Sequence, residues 1–199
     1  MSGGLVSASS LKEFFKALLT EILTERKVQV AEFTEFYLVN LLSEFTSAEK
    51  LFTTQVDGRK EHEPLAVLYH QALQADREGR IKAFRRLGDL SLYKAGFFAD
   101  ALRDGVVGPD YYIQMGGAAY GQVADLSPQT SFAGVFRELC EKFRAVVAVL
   151  EEIAARGLAA TGPTGAMKVY ESWARTGNDR LERVLVDAGL VPVKGGLVN

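Results

Sequence analysis

Histidine and cysteine, on which many catalytic and metal sites depend, are scarce in this chain: two histidines and one cysteine among 199 residues. The lone Cys140 cannot form an internal disulfide, so stability has to come from burial, and a reducing compartment fits. There is no excess of positive charge. Lys and Arg number 23 against 25 Asp and Glu, for a net charge of -2 and a pI of about 5.8. That balance offers no global attraction to nucleic acid or to an anionic membrane. Long apolar runs are missing too: Ala145 to Leu150 is uncharged for six residues, where a membrane-spanning helix needs ~20. The opening MSGGLVSASS has neither a basic start nor a continuous apolar stretch, so no secretion signal is expected and the cytoplasm is the expected location. No segment alternates apolar and polar residues for long, and no fixed-period repeat stands out.

What is present describes a globular helical protein. Hydrophobic residues make up 48% and charged residues 24%, the composition of a chain that buries a core. The length suits one domain. The expectation is an all-α, single-domain bundle of about eight helices over residues 1–199, with 1–8 and 193–199 as loose tails.

The organising stretch is Arg80 to Gly121. Ile81, Phe84, Gly88, Ser91, Ala95, Phe98 and Leu102 recur at steps of three and four, marking one face of a long helix. That face is small in its middle. After a break from Gly105 to Pro109, a second helix supplies Gly116, Gly117, Ala118, Ala119 and Gly121. Two such faces predict a close crossing, with Gly117 of the G-x-x-x-G pair Gly117/Gly121 at its centre. Pro109 and Asp110 suit the first turn of that second helix.

Around this pair, Ser10 and Glu13 have the spacing of a capping box before the stripe Leu11, Phe14, Phe15, Leu18, Leu19 and Ile22. A second helix is expected from Val30 to Phe45, then a polar loop over residues 46–62. Pro64 opens a third helix that Gly79 should end. Phe132 to Arg156 reads as one long helix, and the glycine-rich stretch after it as a break. Gly177 should stop the next helix, Asn178 should cap a last one, and Gly189 should end it.

Candidate chemistry is sparse. Cys140 lies in an apolar stripe and behaves there as a small hydrophobe. His62 sits in a charged loop, and His70 shares a helix side with Gln74 and Arg77. No Glu-x-x-His pair occurs, so no helical metal centre is expected. Gly157 to Thr164 has the spacing of a phosphate loop, but Pro163 replaces the required lysine and no strand leads in. No cofactor is implied.

Two polar groupings remain. Lys82, Arg86, Asp89, Tyr93, Asp100 and Arg103 fall on one side of the central helix, with Arg85 beside them. They form either a solvated face laced with weak ion pairs or a partner-binding strip built on Lys82, Arg85, Arg86 and Asp89. Asn40 and Glu44 share a side with Phe33, Phe36 and Tyr37, where a buried carboxylate would have a raised pKa. Two functional expectations follow. The first is a non-enzymatic protein that acts through contacts with another protein, not with nucleic acid or membrane. The alternative is a ligand-binding or enzymatic bundle. Its pocket would lie between the Arg80–Gly121 helices and the Val30–Phe45 helix, lined by Asn40, Asp89, Tyr93, Tyr112 and Tyr120.

Two resemblances bear on this. RRLGDLS, Arg85 to Ser91, resembles the distal-helix motif of haem oxygenases. That family continues with two glycines where this chain has Leu92 and Tyr93, and takes its iron ligand from a histidine near the N-terminus, whereas none precedes His62 here. The likeness therefore implies no haem. Four longer runs resemble a group of bacterial all-helical proteins to which no activity is attached. They are FYLVNLLSEF from Phe36, LGDLSLYKAGFF from Leu87, DYYIQMGGAAYG from Asp110 and WARTGNDRLERVL from Trp173. This second resemblance implies a helical fold and a bacterial origin.

Overall fold

The structure, a computed structural model, describes residues 8–45, 54–56, 59–61, 64–103 and 105–193. Most of the expected tails, and His62, lie outside them. In order, the helices are α1 (Ala8–Glu25), α2 (Glu32–Phe45), α3 (Leu65–Gln74), α4 (Arg77–Phe97), α5 (Ala99–Arg103), α6 (Pro109–Leu126), α7 (Ala133–Glu141), α8 (Phe143–Ala159), α9 (Pro163–Thr176) and α10 (Asp179–Asp187). The all-α class holds. The departure is a small hairpin within the expected loop 46–62: β1 (Thr54–Val56) pairs antiparallel with β2 (Arg59–Glu61), Thr54 facing Glu61. Three-residue strands are too short to show alternation in sequence.

The described helices exceed the expected eight because two long apolar stripes run straight through helix breaks. The stripe from Phe132 continues in phase across Lys142, yet α7 ends at Glu141 and α8 starts at Phe143. At this joint the Lys142 ammonium donates to the Gln29 carbonyl at 2.7 Å and to Glu138 at 2.9 Å. Glu138 in turn accepts from the Ala31 N–H at 2.9 Å. A carboxylate from α7 thereby satisfies a donor at the start of α2, where helix N–H groups lack partners of their own. The central helix is likewise shorter than expected, ending at Phe97, with α5 as a separate turn. Its start also moves. Asp76 caps α4 by accepting from the Gly79 N–H at 2.9 Å, so Gly79 lies in the first turn of α4 and does not end α3. Similarly, Ser10 lies inside α1, which already runs from Ala8.

Residues cluster into two compact units, 1–149 and 150–199, with the boundary inside α8. In the first, α4 and α6 form the most extensive helix pair, α3 packs on α4, α7 on α6, and α1 on α2. The α4–α6 crossing is made by glycines, as expected, but it centres on Gly88 and Gly116 of the expected faces and not on Gly117. A Cβ at Gly88 would lie 2.5 Å from the Tyr120 ring. One at Gly116 would lie 2.2 Å from the Phe143 ring and 2.7 Å from the Ser91 Cβ. At Gly117 the nearest atom would be 3.6 Å away, an ordinary contact with Phe143, and a Cβ at Gly121 would meet the Cys140 sulfur at 3.2 Å. The G-x-x-x-G pair therefore faces α7 and the α7–α8 joint, while Gly88 and Gly116 permit the close crossing. The second unit has its own core, in which Trp173 and Val169 of α9 pack with Ala155 of α8 and with Val184 and Leu185 of α10. Its boundaries follow the sequence: Gly177 is left-handed at φ 62°, Asn178 accepts from the Arg180 N–H at 3.0 Å, and Gly189 is left-handed at φ 80°.

The crossing yields a graded prediction. Gly116→Ala forces its new methyl into Phe143 and Ser91 and should cost about 1–3 kcal/mol, the range for overpacked cores. Gly117→Ala has room and gains helix propensity, so its denaturant midpoint should equal or exceed the parent's. The reverse order of midpoints would refute this crossing.

Candidate functional site

Asp89 follows Gly88 on α4, and the two act together. Because Gly88 has no side chain, the Tyr120 ring of α6 lies against the α4 backbone there. From that position the Tyr120 hydroxyl donates to Asp89 Oδ1 at 2.7 Å. Tyr37, from α2, donates to the same oxygen at 2.5 Å. The two rings meet edge-on with centroids 6.4 Å apart, and Phe136 of α7 packs against both, at 5.4 Å from Tyr37 and 5.6 Å from Tyr120. One carboxylate oxygen thus joins three helices, under an aromatic cover from a fourth. Arg85, one turn before Asp89, closes the group. Its Nε donates to the Tyr37 hydroxyl at 3.2 Å and lies 3.8 Å from Asp89 Oδ2. Its guanidinium carbon stands 5.3 Å from the Tyr37 ring centroid, within cation–π range.

The Asp89 side chain is only 17% exposed. Burial pushes its pKa up to about 6, against the lowering effect of the two tyrosine hydroxyls and of Arg85, while the negative charge of Glu44 adds to the rise. Burial and the neighbouring Asp89 charge hold Tyr37 and Tyr120 above the ordinary phenol range, so both remain neutral donors. A carboxyl group that titrates near neutrality has the right pKa for acid–base chemistry. Its access argues otherwise. A surface notch of about 220 Å³ opens beside the group, lined by Phe36, Tyr37, Asn40, Leu41, Glu44, Arg85 and Phe132. Asp89 is not in that lining, whereas Tyr37, which donates to it, is. Its Oδ1 is engaged by hydroxyls from two other helices, so the Asp89 carboxylate joins α4 to α2 and α6.

The residues expected to line one pocket are therefore divided. Asp89 and Tyr120 meet. Asn40 lines the notch but donates to the Phe36 carbonyl of its own helix at 2.9 Å. Tyr93 is elsewhere, stacked at 4.5 Å on Phe45 and 4.9 Å on Phe97. Tyr112 lies beneath Lys94, at 5.6 Å, two turns of α6 before Tyr120. Glu44 is exposed, so the buried carboxylate considered beside Asn40 is Asp89 instead. The charged strip divides as well. Lys82, 74% exposed, pairs with Glu78 at 2.6 Å, and Asp100 pairs with Arg103 on α5 at 2.6 Å. Arg86 is half-buried, whereas Arg85 and Asp89 engage Tyr37.

Tyr37 is the member that sequence reasoning left among the apolar residues of its helix. The available signal was its hydroxyl, which needs a partner once the ring is buried. Among the described residues no group of three or more His, Cys, Asp or Glu is placed to hold a metal, and no helix is long and apolar enough to cross a membrane. No protein-family model, curated protein or solved structure matches the chain.

The raised pKa of Asp89 fixes a sign. Its folded value, about 6, exceeds ~3.9 for an unfolded aspartate. This group's contribution is therefore fully present below the unfolded value and is lost as pH rises through about 6. The lost contribution is of order 1–3 kcal/mol. Asp89→Asn keeps an acceptor for the tyrosines and removes the titration. Relative to that variant, the parent should gain stability from pH 7 to pH 4, measured by urea unfolding at each pH. Because Glu138, held low by its hydrogen bonds against the effect of burial, titrates in both proteins, the comparison cancels it. Parallel pH profiles would contradict the assignment.

Proposed function

We propose that this is a non-enzymatic protein of the bacterial cytoplasm that works by binding protein through the face of α2. The observation that carries the reading is an exposed aromatic group around the notch. Phe33 and Phe36, one turn apart on α2, are 68% and 63% exposed, and Phe132 is 51% exposed. Phe36 and Phe132 line the notch together. Contiguous exposed apolar surface edged by polar groups marks a contact site. Aromatic residues and arginine are the types that dominate interface energetics. The notch is smaller than the ~300–1,000 Å³ of typical ligand pockets, which favours a protruding side chain as occupant.

Tyr37 forms part of the notch wall, and its hydrogen bonds to Asp89 and from Arg85 hold that wall in place. A wall fixed before binding costs less to order on association. Of the charged strip on α4, Arg85 lines the notch and Asp89 supports it from below. The balanced net charge and the absence of a basic surplus support a protein partner over nucleic acid or membrane. The four sequence runs that resemble bacterial helical proteins support the origin, and the single cysteine supports the compartment.

The test is cross-linked capture from a bacterial lysate with the parent protein and with Phe36→Asp. Phe36 is largely exposed, so the variant should melt within about 1 kcal/mol of the parent, and its capture should fall about tenfold or more, as for loss of a central aromatic contact. An unchanged capture profile from the folded variant would remove α2 as the contact face.

A further inference from the structure

We infer that the partner of the α2 face is a second copy of this chain. The inference rests on the contact reading above and adds the identity of the occupant. It comes from what a single face carries. The notch of about 220 Å³ is a socket, and Phe33, 68% exposed and one turn before Phe36, is an unburied aromatic knob on the same helix. Both signs of charge line the socket, Arg85 from α4 and Glu44 from α2. They do not pair with one another, and among the described residues Glu44 has no ion-pair partner. Both contacts of Arg85 with Tyr37 and Asp89 run through Nε. A guanidinium has five N–H donors, and this side chain is 52% exposed, so it can still accept a carboxylate from outside.

A two-fold interface requires that combination. In an isologous contact, whatever residue i meets on the partner, the partner meets in return. Each Phe33 can enter the other copy's notch, and each Arg85 can face the other copy's Glu44, so one knob and one ion pair are made twice. A strongly acidic or strongly basic peptide would satisfy one of the two charges and oppose the other. The small net charge of -2 leaves little overall repulsion between copies.

Sedimentation velocity of the full chain across the micromolar range tests this. The expected result is a concentration-dependent monomer–dimer equilibrium. Phe33→Asp should raise the dissociation constant at least about tenfold without lowering the melting temperature at concentrations where both proteins are monomeric. Glu44→Gln, which removes the pair, should weaken the dimer less than Glu44→Arg, which sets like charges opposed. A mixture of Glu44→Arg with Arg85→Glu should recover a heterodimer. Should Arg85→Glu melt early because it places a carboxylate beside Asp89, the Glu44 series and Phe33→Asp carry the test unaided. A parent that stays monomeric, or a dimer indifferent to Phe33→Asp and Glu44→Arg, would overturn the inference. Failure of the contact reading looks different. A monomeric parent whose lysate capture still depends on Phe36 would leave the face in use with a different partner, whereas a monomeric parent whose capture is indifferent to Phe36 would remove both.

Discussion

A single carboxylate oxygen, Asp89 Oδ1, takes hydrogen bonds from two tyrosines on two different helices, and the first unit is arranged around that convergence. The steric condition for it is the absence of a side chain on the neighbouring Gly88, which lets the Tyr120 ring lie flat enough on α4 for its hydroxyl to reach. Burying a carboxylate is costly. Hydrogen bonds to a charged group contribute about 1.5–3 kcal/mol each, so two of them with Arg85 nearby offset part of the cost. The pKa near 6 expresses that incomplete compensation. The gain is positional. With both phenol oxygens aimed at one atom, α2 has little freedom to slide or rotate on α4 and α6. Phe136 and the Glu138 cap secure the same helix from α7.

This arrangement also accounts for how the surface differs from the interior. Once Tyr37 points inward to Asp89, the residues that precede it on the outward side of α2, Phe33 and Phe36, are left in solvent. Leu38, Val39, Leu41 and Leu42 are buried and supply the apolar packing of α2. The exposed phenylalanines are thus not needed to fold the helix. Their position beside a notch whose wall is held by the buried hydrogen bonds links the architecture to the contact function proposed for it.

The α4–α6 pair was legible in the sequence because small residues at helical spacing have one dominant use. Which glycine makes the contact was not. Adjacent helix positions lie about 100° apart, and a periodicity argument cannot separate Gly116 from Gly117 without knowing the rotation of the helix. The breaks before α5 and at Lys142 were hidden for a related reason: the apolar stripe stays in phase across them, and neither contains glycine or proline. Helix ends marked by dedicated residues, at Gly177, Asn178 and Gly189, were read correctly. Within the site, Asp89 was legible as a carboxylate in the charged strip of the central helix, and Tyr120 as a candidate lining residue among the small residues of the glycine-rich helix. Tyr37 did not, since its ring fits an apolar stripe and its acceptor lies 52 residues away in the chain. Phe33 and Phe36 misled in the opposite direction, because hydrophobicity predicts burial and both side chains are mostly exposed.

The most direct measurement is a carbon-13 titration of the Asp89 carboxyl by NMR, in the parent protein and in Tyr120→Phe. The account predicts a midpoint near 6 in the parent. In the variant the midpoint should move higher, because one hydrogen bond that favours the charged form is gone while the burial remains. Midpoints near the ordinary ~3.9 in both proteins would mean that the carboxylate is solvated and that the tyrosines do not converge on it.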